Sequence, residues 1–492
     1  MHDRPARPLA VLLLASAAVA PFALHAADAP HAAAFFRDAA IADVEAAIDL
    51  IERNHPGAAP ELGDAPFLHR LSDAGALARE RAPRVRTAAG HQAVLSAFTN
   101  ALADKHLSFR PALAVARPEW VGLILALRDG EWIVVDEDPW PGRAPLRGAR
   151  LAGCDGRSAD AVAEERLGGF RAEWTIAAQR GLAAPWLLID EGNPFLQPLA
   201  QCAFETAEGP RTIDMDWTPV ARDAVVGRLR AASGIGAAGY GVRRTGDGWW
   251  VSINQFAEQA PAVVEQARAR RDALRAAPFV VFDVRGNGGG ASDLGLQLAR
   301  ILHGDDVYRD ASAAAGHECP AAWRVSEANL ARLASYPALL GDRLGPEANA
   351  SIAADIEAMR AAHRAGAAFS RPLAACPAPA VRPRRGGPRV LLLTDRVCFS
   401  SCLLVVKAFR ELGALHIGEA TDGNTRYTEN RREPLPSGLG SIGIQAAVAL
   451  SMPARVGPFA PDVAYHGDLT DTAAVERWVL ANAEAWRTLP AR

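Results

Sequence analysis

The chain has 492 residues, half of them hydrophobic and 22% charged, with a formal net charge of −3. This is material for about three domains of roughly 150 residues each, with ample apolar content for buried cores. The near-balanced charge offers no basic footprint for nucleic acid, and the cations are almost entirely arginine, a genomic preference rather than a functional signal.

Arg4 and Arg7 precede an apolar run from Leu9 to Leu24 that closes on Leu24-His25-Ala26. A membrane span needs about 20 apolar residues and this run is shorter. Residues 1–26 therefore read as a cleaved secretory signal, with an uncleaved anchor as the alternative. No later stretch is long and apolar enough to cross a bilayer, so the mature chain is expected to be soluble and exported, periplasmic or extracellular. Six cysteines follow: Cys154, Cys202, Cys319, Cys376, Cys398 and Cys402. An even count in an exported chain favours disulfides. Sequence-local pairing gives 154–202, 319–376 and 398–402, with buried free thiols as the alternative. An i,i+4 pair at a helix start lies within the Cα separation a disulfide tolerates. His317-Glu-Cys319 stands alone and no Cys/His spacing resembles a zinc site, so no metal or cofactor is implied.

Residues 30–112 read as helices. Ile41, Val44, Ile48 and Ile51 recur at helical spacing until His55-Pro-Gly57 breaks the run, and Val94, Leu95, Phe98 and Leu102 repeat the pattern before Asp104-Lys-His106. From 115 to 222 the texture changes to short strands and turns. Leu123–Leu127 and Trp132–Val135 flank Arg128-Asp-Gly-Glu131, a hairpin signal, and a tight Asp155-Gly156 turn follows. This stretch looks like a PDZ-like module, a plain β-rich domain being the alternative. Residues 235–480 alternate strands and helices, which argues an α/β core. Trp249–Phe256 is a strand, Ala260–Ala276 a helix, Phe279–Val284 a buried strand, and Leu294, Leu298, Ile301 and Leu302 mark a helix. Residues 309–388 form an insertion with one helix around Glu347–Arg364, and the core resumes at Val390.

Two segments of this region look like halves of one site. Phe279-Val-Val-Phe-Asp-Val-Arg-Gly-Asn-Gly-Gly-Gly290 runs an apolar strand into glycines, which can aim unshielded backbone N–H groups at a developing oxyanion. Val390-Leu-Leu-Leu-Thr-Asp-Arg-Val-Cys-Phe-Ser-Ser-Cys402 turns through paired serines into an apolar helix, placing a hydroxyl at the helix's positive end. Together they suggest acyl transfer. Taken separately, the serines would be caps for the helix Leu403–Leu412 and the glycines a tight connection; a phosphate cradle lacks its lysine.

The ordered set Asp283–Gly290, Thr394-Asp-Arg396, Ser400-Ser-Cys402 and Gly418-Glu-Ala-Thr-Asp-Gly423 resembles the tail-specific (C-terminal processing) serine proteases, a family that includes the tricorn core protease. The resemblance spans most of the chain and implies N-terminal helices, a PDZ-like module and a crotonase-like, β-spiral α/β catalytic domain. It places the nucleophile at Ser400, with Ser401 the alternative if the turn is shifted by one. It implies an oxyanion hole from Gly288, Gly289 and the Ser401 N–H.

The chain departs from the Ser-Lys branch of that family, which carries a lysine just after the Gly418–Gly423 turn. Here the residue is Asn424, whose amide cannot take a proton from a serine at neutral pH. Tricorn-like members draw a histidine from the helical region, and His106 in Asp104-Lys-His106-Leu-Ser108 resembles it. A histidine suits a neutral compartment. The carboxylate that would orient it is expected to be Glu429, with Asp104 as runner-up. The expectation is an exported serine endopeptidase acting on peptides or proteins. Two alternatives stand: a catalytically silent peptide-binding homologue, and an esterase-like hydrolase. A Cys398–Cys402 bond would bracket the nucleophile turn.

Overall fold

The computed structural model describes residues 29–487 and 489, except 113, 115–116, 140–143, 237, 315–318, 341–345 and 375–386. The expected leader lies outside the described residues. Three helices open the fold, Ala29–Asn54, Ala65–Arg81 and Ala88–Ala101. Asp64 caps the second by accepting the Phe67 N–H, and Thr87 caps the third by accepting the Gly90 N–H. Their apolar stripes, Val44, Ile48 and Ile51 with Phe67, Leu71, Val94, Leu95 and Phe98, share one core with Ile442, Ile444 and Val448. Those last three lie on the long strand Gly440–Val448 of the carboxy-terminal region. The helical region is thus docked on that strand, and Phe109–Pro111 adds to its edge, antiparallel.

A second, β-rich core gathers around Leu123, Leu125, Val134, Leu151, Phe204 and Ile213. Its sheet runs Leu123–Arg128, Glu131–Glu137, Arg150–Cys154, Gln201–Thr206 and Gly209–Asp214 in that spatial order. A Cys154–Cys202 disulfide joins two adjacent strands.

The α/β region is centred on a six-stranded sheet. The spatial order is Tyr240–Thr245, Gly248–Ile253, Phe279–Asp283, Arg389–Thr394, Leu415–Gly418 and Val463–Ala464. The first pair is antiparallel and every later pair parallel. Successive residues of a strand face opposite sides, so the central strands must be apolar throughout to be covered on both faces. Val280 and Phe282 pack with Leu296, Val405 and Phe409 of the helices on one face. Phe279 and Val281 pack with Val475 and Val479 of the helix Thr472–Trp486 on the other.

The insertion holds more than the single helix anticipated: Asp305–Ala314, Glu327–Leu340 and Pro346–Arg364 are all helical. Glu327–Leu340 contains Pro337, which masks it in the sequence as a breaker. Trp323, Leu333, Ile356 and Met359 pack on Ala446 and Ala447, so the insertion covers the same long strand. No helix among the described residues is long and apolar enough to cross a membrane.

Candidate active site

The strands Phe279–Asp283 and Arg389–Thr394 are parallel neighbours, with Asp283 paired to Leu393. Their carboxyl ends therefore emerge side by side, the edge at which open α/β sheets build their sites. The glycine turn leaves one strand and the serine turn the other. Two contacts tie them together, from Gly286 to Asp395 and from Phe399 to Asn287, and Asp395 also braces its own turn. Asp395 accepts the Gly286 N–H at 2.8 Å and the Val397 N–H at 3.0 Å, and the Phe399 N–H donates to the Asn287 carbonyl at 3.3 Å. Burial pushes the Asp395 carboxyl up to about 7, against the pull of those two N–H bonds.

Ser400 occupies a backbone conformation that side chains rarely adopt, φ 55° and ψ −127°, immediately before the helix Ser401–Glu411. Such a residue costs about 1–3 kcal/mol and persists only where its surroundings impose it. A Cys398–Cys402 disulfide spans the turn. Gly289, at φ 112°, lies so close that a Cβ there would sit 2.8 Å from Ser400 Cβ and 3.0 Å from the Ser401 nitrogen.

Opposite this turn stands His106. The loop after Ala88–Ala101 carries it, and its Nε2 lies 3.2 Å from Ser400 Oγ across 294 residues of sequence. Its ring lies 4.7 Å from that of Phe399. Asp104 sets the loop: Oδ1 accepts the His106 backbone N–H at 2.9 Å, and Oδ2 accepts the Thr425 hydroxyl. Oδ1 also lies 3.6 Å from His106 Nδ1, which has no hydrogen bond among the described residues. Burial pushes the Asp104 carboxyl up, but the His106 and Thr425 bonds and nearby imidazoles outweigh it and hold the group well below the usual carboxylate range. Asp104 thus stays ionised beside the imidazole.

Two expected participants stand elsewhere. Glu429 is not the carboxylate beside His106: it accepts the Tyr336 hydroxyl at 2.9 Å, from the insertion helix Glu327–Leu340. Burial raises its carboxyl, against the pull of the Tyr336 bond and with Asp355 adding to the rise. Gly289 is not a free donor, because its N–H is bonded to Asn287 Oδ1 at 2.9 Å. Gly288 donates to Gln255 Oε1 at 3.2 Å, a side chain that can give way. The Ser401 N–H opens the helix with no side-chain cap. Ser401 lies within the helix, and the hydroxyl bonded to the imidazole is that of Ser400.

Asn424 sits in the short strand Asn424–Thr425, paired with Arg455–Val456, and its Oδ1 is buried with no partner among the described residues. Cys319 is disulfide-bonded, while Cys376 lies outside the described residues. No group of three or more metal-ligating side chains occurs among the described residues. Asn287, Gln255, Asp395 and Thr425 were not legible as site residues. Asp104 had one local signal, an Asp two residues before His106, the spacing at which an Asp side chain accepts a backbone N–H.

No family model matches the chain, and no curated protein matches it. Solved structures do. Mature CPAF superposes with a TM-score of 0.57 over 92% of this chain and 99% of its own, at 14% identity. Mature CPAF complexed with lactacystin gives 0.55 over 92% and 99%, at 13% identity. The tricorn protease covers 92% of this chain and 37% of its own at 11% identity, with a TM-score of 0.38, too low to bear on the fold. The mixed α/β architecture, with helices first, a β-rich module second and the α/β region last, is therefore the fold of mature CPAF.

Proposed function

We propose that the chain is a serine peptidase with Ser400 as nucleophile, His106 as general base and Asp104, rather than Glu429, as the carboxylate that orients the imidazole. The observation that carries this reading is the 3.2 Å approach of His106 Nε2 to Ser400 Oγ, a contact between regions that share no local sequence. In the mechanism, Ser400 Oγ attacks a peptide carbonyl while Nε2 takes its proton. Asp104 stabilises the resulting imidazolium. The Ser401 N–H and the Gly288 N–H, released from Gln255, hold the oxyanion. The imidazolium then protonates the leaving amine, and water, deprotonated by the same ring, hydrolyses the acyl-enzyme and frees Ser400.

The disulfides and the leader-like first residues support an exported enzyme, and the β-rich module is proposed as the PDZ-like element that receives a peptide end. A fluorophosphonate probe tests the proposal. Wild type should be labelled, with Ser400→Ala blank and His106→Ala slowed by several orders of magnitude. Folded but unlabelled wild type would leave the peptide-binding homologue as the better reading. Relative turnover of matched peptide and ester substrates separates a peptidase from an esterase. Lactacystin, bound by the structurally similar CPAF, is the natural competitor to include.

A further inference from the structure

Asp422, the last residue before Gly423 in the turn where the Ser-Lys branch would place its lysine immediately afterwards, is fully buried and holds partners from three parts of the fold. Lys105 Nζ from the helical region lies 2.6 Å from Oδ2. Gln179 Nε2 from the β-rich module donates to Oδ1 at 2.8 Å, and the Gly423 N–H donates to the same atom at 2.7 Å. Lys105 is one of the chain's two lysines, in a sequence that otherwise uses arginine. Its ammonium also stands 4.7 Å from the Phe399 ring centroid, the ring that packs on His106. The two residues preceding His106 are thus both fastened to one short segment, Asp104 to Thr425 and Lys105 to Asp422.

We propose that the Lys105–Asp422 pair is a positioning device for His106, so that the turn which elsewhere supplies a lysine base here supplies the anchor for an imidazole brought from the helical region. This rests on the catalytic reading of Ser400 and His106 given above. Lys105 does not act as the base, because its ammonium is committed to Asp422 and serves as a charge and a tether. The pair sets the field at the ring together with the other charged groups on the loop's surroundings. These are Asp104 beneath Nδ1, Arg455, which bonds the Ala103 carbonyl and pairs with Glu173, and Arg432, which bonds the Ser108 carbonyl.

The test is a double-variant cycle read by histidine NMR titration, with the His106 signal assigned by His106→Gln, and by the fluorophosphonate labelling rate. Asp422→Asn leaves a cation near the ring and should lower the His106 midpoint by about half a pH unit. Lys105→Met leaves a buried anion and should raise it by a similar amount. The double variant should return the midpoint to the wild-type value but label about tenfold more slowly, because the loop has lost its tether. Lys105→Arg, which keeps the charge, should recover part of the rate. Midpoints that do not move, or that move the same way in both single variants, would overturn the proposal. The titration needs no turnover, so an unlabelled wild type with opposed midpoint shifts would condemn the peptidase reading alone. Should Asp422→Asn fail to fold, the signs for Lys105→Met and Lys105→Arg still decide.

Discussion

Replacing Gly289 by alanine is the most direct assault on the geometry proposed for the site. The backbone there is at φ 112°, where a side chain is strained whatever the space, at a cost of about 1–3 kcal/mol. For a domain of this size that corresponds to a fall in Tm of roughly 3–10 °C. The added methyl would lie 2.8 Å from Ser400 Cβ, 3.0 Å from the Phe399 carbonyl oxygen and 3.0 Å from the Ser401 nitrogen. It would cover one of the two proposed oxyanion donors, a loss of about 10²–10³ in turnover, and push the nucleophile off line. Fluorophosphonate labelling rates alongside thermal melts measure both effects. Gly227→Ala is the control: it sits on the exposed face of the helix Arg222–Ala232 with nothing within 4 Å of the new methyl, and it should melt slightly higher and label normally. A Gly289→Ala protein that labels at the wild-type rate would refute the placement of the glycine turn against the nucleophile.

Asp104→Asn should lower kcat by about 10²–10⁴ with little change in KM, whereas Glu429→Gln should change kcat less than about threefold; the reverse order would restore Glu429 as the orienting group. Gly443→Ala should be nearly inactive while folded, because its Cβ would collide with the His106 carbonyl oxygen and lift the loop away from Ser400; retained labelling would contradict that packing. Stability should fall as pH drops from 6.5 toward 4. Burial holds the His55 imidazole down to about 4, and burial with the adjacent Arg410 holds His416 down to about 3, so the unfolded chain takes up protons that the folded one refuses. Asp395, raised to about 7, has the opposite sign in that window and offsets part of the loss. Urea midpoints that rise on acidification across this range would contradict the two buried neutral histidines.

The architecture was legible because its signals are local. Continuous apolar strands before glycine or serine turns, helical periodicity near residues 44 and 94, and hairpin chemistry near Asp129-Gly130 each arise within a dozen residues. The insertion was under-read because Pro337 interrupts the pattern of a helix that nevertheless forms against Ala446 and Ala447. The paired serines and the glycine run were conspicuous, but their sequence could not say that one glycine N–H would be consumed by Asn287 and another covered by Gln255. Those bonds depend on side-chain direction at a strand end.

From its residues alone this chain determined the strands, the turns that follow them, and the absence of a lysine at position 424. His106 was already expected from the sequence; tertiary structure decided that its ring stands against Ser400 and that Asp104, not Glu429, lies beside it. The docking of three helices on the strand Gly440–Val448 is an apolar packing event, and it brings His106, with Asp104 two residues before it, to Ser400 as a consequence. On paper Glu429 was the expected carboxylate and Asp104 the runner-up. What separates them is which face of one irregular strand is covered by the insertion and which buried loop meets the imidazole, quantities fixed by long-range burial rather than by any pattern along the chain.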